Sequence, residues 1–148
     1  MIEHSDRIVI YGMSCVGKTT FAQTITSHNY ICFDALFPWH MMETFGLSFS
    51  HAMEFVKKKC DFEKFVLDGW HLGDKQGCYL PENTTVYVLI IPYEKIIEQY
   101  RVPVDDPEQH RCMFRQWYSI KYPSPTRYFT VGDGYLEISE NDFFTLIE

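Results

Sequence analysis

One short segment near the start of the chain constrains its fold more than any other feature: Gly12-Met13-Ser14-Cys15-Val16-Gly17-Lys18-Thr19. It fits the pattern G-x-x-x-x-G-K-[ST]. The residues before it, 7–11, are rich in β-branched side chains and predict a buried strand. After it, Phe21, Ala22 and Ile25 recur at helical spacing and predict a helix. The segment therefore joins a strand to a helix, which is the context that this pattern requires.

The spacing of this segment matches the geometry of a phosphate-binding loop, or P-loop. Gly12 and Gly17 can adopt backbone angles that would crowd a side chain, so that successive N–H groups turn inward around a phosphate. The helix that follows adds its unpaired N–H groups and the positive end of its dipole. We expect Lys18 to reach the β- and γ-phosphates of a nucleoside triphosphate, either ATP or GTP, and the Thr19 hydroxyl to bind Mg²⁺. The predicted nucleotide contacts are Gly12, Met13, Ser14, Cys15, Val16, Gly17, Lys18, Thr19 and Thr20.

Length and composition narrow the class of protein. A chain of 148 residues predicts a single domain, 1–148. The net charge of −7 gives no general attraction to a polyanion, so any nucleic acid must be short or held by a local basic patch. The five cysteines form no C-x-x-C pair, which favours reduced thiols in the cytoplasm. No apolar run reaches transmembrane length and the first residues are not those of a signal peptide, so we expect no membrane partner.

Two aspartates follow predicted strands. Residues 30–33 form a short apolar run that ends at Asp34, and residues 64–67 lead into Asp68. Ligands of open α/β sheets bind at the carboxyl ends of the strands, so both acids are expected beside the P-loop. Asp68 is predicted to bind Mg²⁺ opposite Thr19, with a simple Asp-Gly turn as the alternative. For Asp34 the alternative is a helix cap.

A helix with two arginines follows the fourth predicted strand, 83–91. Asp106 and Pro107 supply a helix N-cap and a proline at the first helical position, and the helix is predicted to extend to about residue 121. Arg111 and Arg115 are four positions apart and share a face, which is either functional or simply solvated. The remaining predicted helices are one that starts near Pro38 and ends at Gly46, one that Ser48 or Ser50 caps and that ends at 57–59, one over 93–101, and a terminal helix capped by Ser139. The remaining predicted strands are 127–131 and 135–138.

This order of elements resembles the small P-loop kinases: nucleoside monophosphate kinases, gluconate and shikimate kinases, and the kinase domain of polynucleotide 5′-hydroxyl kinases. The resemblance covers nearly the whole chain, and only the P-loop is specific at residue level. It implies an α/β, three-layer P-loop NTPase fold. The implied sheet has five parallel strands in the order 2-3-1-4-5 with helices on both faces, and an arginine-bearing lid spans about 101–126.

Within this group the chain is most similar to the polynucleotide kinase branch. In that branch an acid after the second strand deprotonates the acceptor hydroxyl, and Asp34 stands at the matching place. Val102-Pro103 before an arginine-bearing helix is also similar to that branch. The chain departs from it at Phe33, where an arginine is usual, and in its negative net charge.

The resemblance also implies catalytic roles. Lys18 would hold the β- and γ-phosphates, and Asp34 would be the general base. Arg111 and Arg115 would close over the transferring phosphoryl group, with Arg101 as a third candidate. Aromatic side chains lie where these kinases bind the acceptor, and they either stack a base or fill the core. They are Phe37, Trp39, His40 and Phe45.

The leading hypothesis is an ATP-dependent kinase that phosphorylates a hydroxyl on a nucleic-acid component, whether single-stranded DNA, a nucleoside or a modified base in DNA. A nucleoside monophosphate kinase is less favoured because residues 34–50 contain no arginine for an acceptor phosphate. A GTPase-like switch would carry an N-K-x-D loop, which the sequence lacks. A small-metabolite kinase, like those for gluconate or shikimate, needs only the same base, so it stays open. The sequence selects neither the acceptor nor an oligomeric state.

Overall fold

Strands and helices alternate along the chain, as the sequence predicts for an α/β fold. The computed structural model describes residues 3–13, 16–37, 41–70, 80–99 and 106–148. In chain order the elements are β1 (Arg7–Tyr11), α1 (Lys18–Thr24), β2 (Asn29–Cys32), α2 (Phe33–Leu36), α3 (Met42–Phe45), α4 (Phe49–Lys59), β3 (Phe65–Asp68), β4 (Thr85–Ile90), α5 (Tyr93–Gln99), α6 (Pro107–Tyr118), β5 (Thr126–Val131), β6 (Tyr135–Ile138) and α7 (Glu140–Ile147).

The strands form one sheet in the order β2-β3-β1-β4-β5-β6. Strands β1 to β5 are parallel, which confirms the predicted order of the five-stranded sheet. Strand β6 adds a sixth, antiparallel edge strand. It returns along β5 because the Gly132 amide donates to the Gly134 carbonyl across a tight turn. Arg127 also joins the two strands, donating to both carboxylate oxygens of Glu137 at 2.7 and 2.8 Å.

Helices cover both faces of the sheet. Successive residues of a strand point to opposite faces, so Phe129 and its neighbour Tyr128 identify the two sides. Phe129 contacts Phe21 of α1, with 5.4 Å between the ring centroids. Tyr128 stacks on Phe143 of α7, at 4.3 Å. Between these layers every residue of β3 is buried, as central parallel strands require. The three-layer prediction is therefore confirmed.

The segment after β2 differs from its prediction. The strand ends at Cys32, and Phe33 to Leu36 form a single helical turn, so Asp34 lies in the first turn of α2 rather than at the strand end. The reason is the contact between Phe33 and Phe37, whose rings stack at 5.2 Å across helical spacing.

Other helix boundaries agree more closely with the sequence. Gly46 ends α3, as predicted, and has the left-handed conformation, whereas residues 38–40 of the predicted helix lie outside the described residues. Helix α6 ends at Tyr118, a little before the predicted boundary. No helix within the described ranges is long and apolar enough to cross a membrane.

Candidate active site

The P-loop follows β1, and its two glycines are required for different reasons. Gly17 has φ 90°, the left-handed conformation that the sequence predicts for it. Gly12 does not have a positive φ, so that prediction is wrong for Gly12. A Cβ at Gly12 would lie 2.8 Å from the Leu89 carbonyl oxygen and 2.9 Å from Val16 Cγ2. Gly12 is therefore needed because the loop packs directly against β4. Ser14 and Cys15 lie outside the described residues.

The C-terminal end of α6 contacts the start of the P-loop. The Met13 amide donates to the Tyr118 hydroxyl at 3.0 Å, and that hydroxyl donates to the Leu89 carbonyl at 2.8 Å. Beside it, Tyr11 stacks on Trp117 with ring centroids 5.5 Å apart. The Met13 amide is thus already hydrogen-bonded, so a phosphate would have to displace Tyr118 to use it. No pattern in the sequence pointed to this contact.

Thr19 and Asp68, the two predicted Mg²⁺ ligands, lie together. The Thr19 hydroxyl donates to Asp68 Oδ2 at 3.0 Å. A second hydroxyl, from Tyr30 on β2, donates to the same oxygen at 3.1 Å. Burial raises the pKa of Tyr30 well above its usual range, so this hydroxyl stays protonated as a donor. Sequence reasoning treated Tyr30 only as part of a strand and missed this role.

The surroundings of Asp68 fit a magnesium ion. Asp68 is only 3% exposed, and within the described part of the chain it forms no ion pair with a basic side chain. The nearby groups are oxygen donors, the ligands that Mg²⁺ prefers. The described residues contain no cluster of three or more His, Cys, Asp or Glu side chains suited to a metal. With Thr19 and Asp68 as protein ligands, Mg²⁺ would take its other ligands from phosphates and water.

Asp34 lies directly against the residue that follows Asp68. Gly69 has φ 83°, and a Cβ there would lie 2.9 Å from both the Asp34 amide nitrogen and Asp34 Oδ2. The exposed carboxylate of Asp34 therefore occupies the space that any side chain at Gly69 would fill. The structure thus places Asp34 against Gly69, the residue that directly follows Asp68.

Replacing Gly69 with alanine is expected to lower the free energy of unfolding by about 2 kcal/mol or more, because it combines backbone strain with a clash against Asp34. Two glycines serve as controls in urea denaturation. Gly46 has φ 64° with no atom within 4 Å, so Gly46→Ala isolates the strain, about 1–2 kcal/mol. Gly134 has neither feature, and Gly134→Ala should stay within about 0.5 kcal/mol of wild type. Equal losses for Gly69→Ala and Gly46→Ala would contradict a tight Asp34 contact.

The two candidate arginines contact the end of the chain. Arg111 and Arg115 both donate to the Glu148 carbonyl, at 3.5 and 3.1 Å. The Arg111 guanidinium also lies 5.5 Å from the centre of the Tyr93 ring. Helix α6, which carries both arginines, is anchored in the core through Phe114, which is 1% exposed. Within the predicted lid, 101–126, this helix is therefore packed against the core, whereas Arg101 lies outside the described residues.

The aromatic residues proposed to stack on an acceptor base divide into three cases. Phe37 is buried and packs on Phe33, so it belongs to the core. Phe45 is 59% exposed on α3. Trp39 and His40 lie outside the described residues. The structure thus supports the core alternative for Phe37.

A cavity of about 450 Å³ lies against the turn between β5 and β6. The turn between β5 and β6 forms one wall, and Pro92 and Lys95 line the other side. Tyr135 lines this cavity too, and its hydroxyl would lie 3.9 Å from a Cβ at Gly17. The volume falls within the usual range for sites that bind small molecules.

Comparisons with known proteins identify the fold. No family profile matches the sequence, and no curated protein matches it. A gluconokinase from Sinorhizobium meliloti 1021 has 11% sequence identity and a TM-score of 0.51, over 95% of this chain and 88% of that one. An unliganded sugar kinase from Janibacter sp. HTCC2649 has 15% identity and a TM-score of 0.52, over 86% of each chain. At these identities the likeness establishes a shared fold.

Proposed function

We propose that the protein is an ATP-dependent kinase that transfers the γ-phosphate to a hydroxyl group of a small polar metabolite, such as a sugar or a sugar acid. One observation carries this proposal. The Asp34 carboxylate lies against Gly69, next to Asp68, which accepts a hydrogen bond from Thr19 of the P-loop. A candidate base and a candidate metal pair thus meet at the edge of the sheet where the P-loop begins.

Each of these side chains has a role in such a transfer. Lys18 and the loop amides neutralise the β- and γ-phosphates, and Thr19 with Asp68 holds Mg²⁺. Held there, Mg²⁺ would supply positive charge that offsets the negative charge of the transferring phosphate. The oxygen of the acceptor hydroxyl attacks the γ-phosphorus while Asp34 accepts the proton of that hydroxyl. The bond between the γ-phosphorus and the β–γ bridging oxygen breaks, and ADP leaves with that oxygen.

The acceptor class differs from the leading hypothesis of the sequence analysis. A nucleic-acid acceptor has no support from the comparisons, and the polynucleotide kinase branch has none either. The gluconokinase and the sugar kinase that share the fold act on small polar acceptors according to their names. The net charge of −7 and the burial of Phe37 also favour a small acceptor over a DNA strand. A sugar hydroxyl requires only the same general base.

We place the nucleoside of the donor towards the cavity that the β5–β6 turn and Lys95 line. Tyr135 lines this cavity and also lies beside Gly17, so a triphosphate on the P-loop would carry its nucleoside towards it. Arg111 and Arg115 remain proposed phosphoryl ligands. To act as such they would leave the Glu148 carbonyl, and contacts between exposed groups are worth only about 0–1 kcal/mol.

A transfer screen with γ-labelled ATP and Mg²⁺ tests the function. The acceptors are sugar acids including gluconate, neutral sugars, nucleosides, nucleoside monophosphates, and DNA with free 5′-hydroxyls or hydroxymethylated bases. We expect label on a sugar or sugar acid. Label on DNA, on a nucleoside or on a monophosphate would overturn the proposed acceptor class. Label only on free phosphate would overturn the kinase itself.

A further inference from the structure

We infer that Tyr30 is a positioning residue, whose hydroxyl holds the Asp68 carboxylate in place for the Mg²⁺ of a bound nucleoside triphosphate. This inference rests on the proposed function, because it assumes that Thr19 and Asp68 form the metal site. Tyr30 itself would touch neither the metal nor the substrates. It acts through its hydrogen bond to Asp68 Oδ2, which measures 3.1 Å.

The pairing of β2 with β3 accounts for this contact. Tyr30 is opposite Val66 and Cys32 is opposite Asp68 in the parallel register. Tyr30 and Asp68 therefore point to the same face of the sheet, because side chains on one face recur at every second residue. The phenol ring spans the distance along the strand, so that its hydroxyl reaches the carboxylate. A phenylalanine would fill the same space without the donor.

The chemistry of Asp68 explains why that donor matters. Its carboxylate is 3% exposed, and both Thr19 and Tyr30 donate to Oδ2. Binding of Mg²⁺ would redirect the Thr19 oxygen towards the metal and leave Tyr30 as the hydroxyl that holds Oδ2. That bond fixes the orientation of the carboxylate and compensates part of the cost of burying its charge. Loss of such a supporting hydrogen bond typically lowers metal affinity 10- to 100-fold.

The test uses Tyr30→Phe in the full chain and measures equilibrium binding of a non-hydrolysable ATP analogue, once with Mg²⁺ and once with a chelator. We expect the gain in affinity due to Mg²⁺ to fall about 10- to 100-fold in Tyr30→Phe, whereas affinity without Mg²⁺ stays close to that of wild type. Tyr87→Phe is the matched control. Its hydroxyl is also bonded inside the protein, but to the Ser5 amide and Arg127, so both affinities should be unchanged.

Each contrary result has a distinct meaning. If Tyr30→Phe weakens binding equally with and without Mg²⁺, its hydroxyl supports the loop in general and the inference is wrong. If Tyr30→Phe retains the full gain from Mg²⁺ seen in wild type, the inference fails while the proposed function stands. If wild type binds no analogue in either condition, the proposed function fails and the inference with it.

Discussion

Asp34→Asn is expected to reduce kcat by about 10²- to 10⁴-fold, the usual contribution of a general base. The amide has nearly the same shape as the carboxylate, so the contact with Gly69 is preserved while the ability to accept a proton is lost. Affinity for a non-hydrolysable ATP analogue should therefore not change. The measurement is steady-state turnover with the best acceptor from the screen, together with equilibrium binding of the analogue.

Asp61→Asn is the control for the change in charge at Asp34. Asp61 is an exposed acid just after α4 and has no part in the proposed site, so this variant should turn over like wild type. A turnover near wild type in Asp34→Asn would contradict the role of Asp34 as general base. A fall in analogue affinity that matches the fall in kcat would assign Asp34 to donor binding instead.

Lys18→Met is expected to reduce kcat by about 10²- to 10³-fold, the range observed when one group that stabilises a developing negative charge is removed. Methionine keeps much of the side-chain length and apolar volume but carries no charge. Because Lys18 also contacts the phosphates in the ground state, we expect weaker binding of the ATP analogue as well. Stopped-time transfer assays and analogue titration separate these two effects.

Lys64→Met provides the matched control for the loss of a lysine charge. The Lys64 side chain forms an exposed ion pair with Asp6, at 3.9 Å, which contributes about 0–1 kcal/mol. Its removal should leave turnover and analogue affinity unchanged. Wild-type turnover in Lys18→Met would contradict a contribution of the P-loop to phosphoryl transfer.

The succession of strands and helices and the P-loop were accessible from the sequence because both depend on local patterns, whereas the order of the strands in the sheet came from the resemblance to small P-loop kinases. Apolar runs of strand length, separated by helical segments, predict parallel strands, and the glycine and lysine spacing fixes the loop. Even so, the sequence did not indicate why position 12 must be glycine. A side chain there would clash with the carbonyl of Leu89, which the pairing of β1 with β4 brings close.

The supporting contacts of the site were not accessible from the sequence. Tyr30 and Asp68 are 38 residues apart, and Met13 and Tyr118 are 105 residues apart. Nothing in either neighbourhood marks a tyrosine hydroxyl as a partner, since a tyrosine in a strand or a helix is ordinarily explained by packing. Such contacts follow from strand register and helix placement, which the sequence specifies only through the whole fold.

The position of Asp34 could not be predicted from the sequence either. Residues 30–33 form an apolar run of strand length, and periodicity alone does not distinguish a short strand from a helical turn. The stacking of Phe33 on Phe37 favours the helical turn. The arginine helix was predicted correctly, but the contacts of Arg111 and Arg115 with Glu148 depend on where α7 packs.

Phosphorus NMR of the reaction product tests the central claim most directly. The full chain is incubated with ATP, Mg²⁺ and the acceptor that takes up label in the screen. A kinase acting on a hydroxyl produces one equivalent of ADP and a phosphomonoester whose phosphorus couples to protons on the carbon that carries the new ester oxygen. Our account predicts that resonance, and predicts its loss in Asp34→Asn. A phosphoanhydride resonance other than those of ATP and ADP, or inorganic phosphate as the sole product besides ADP, would contradict it.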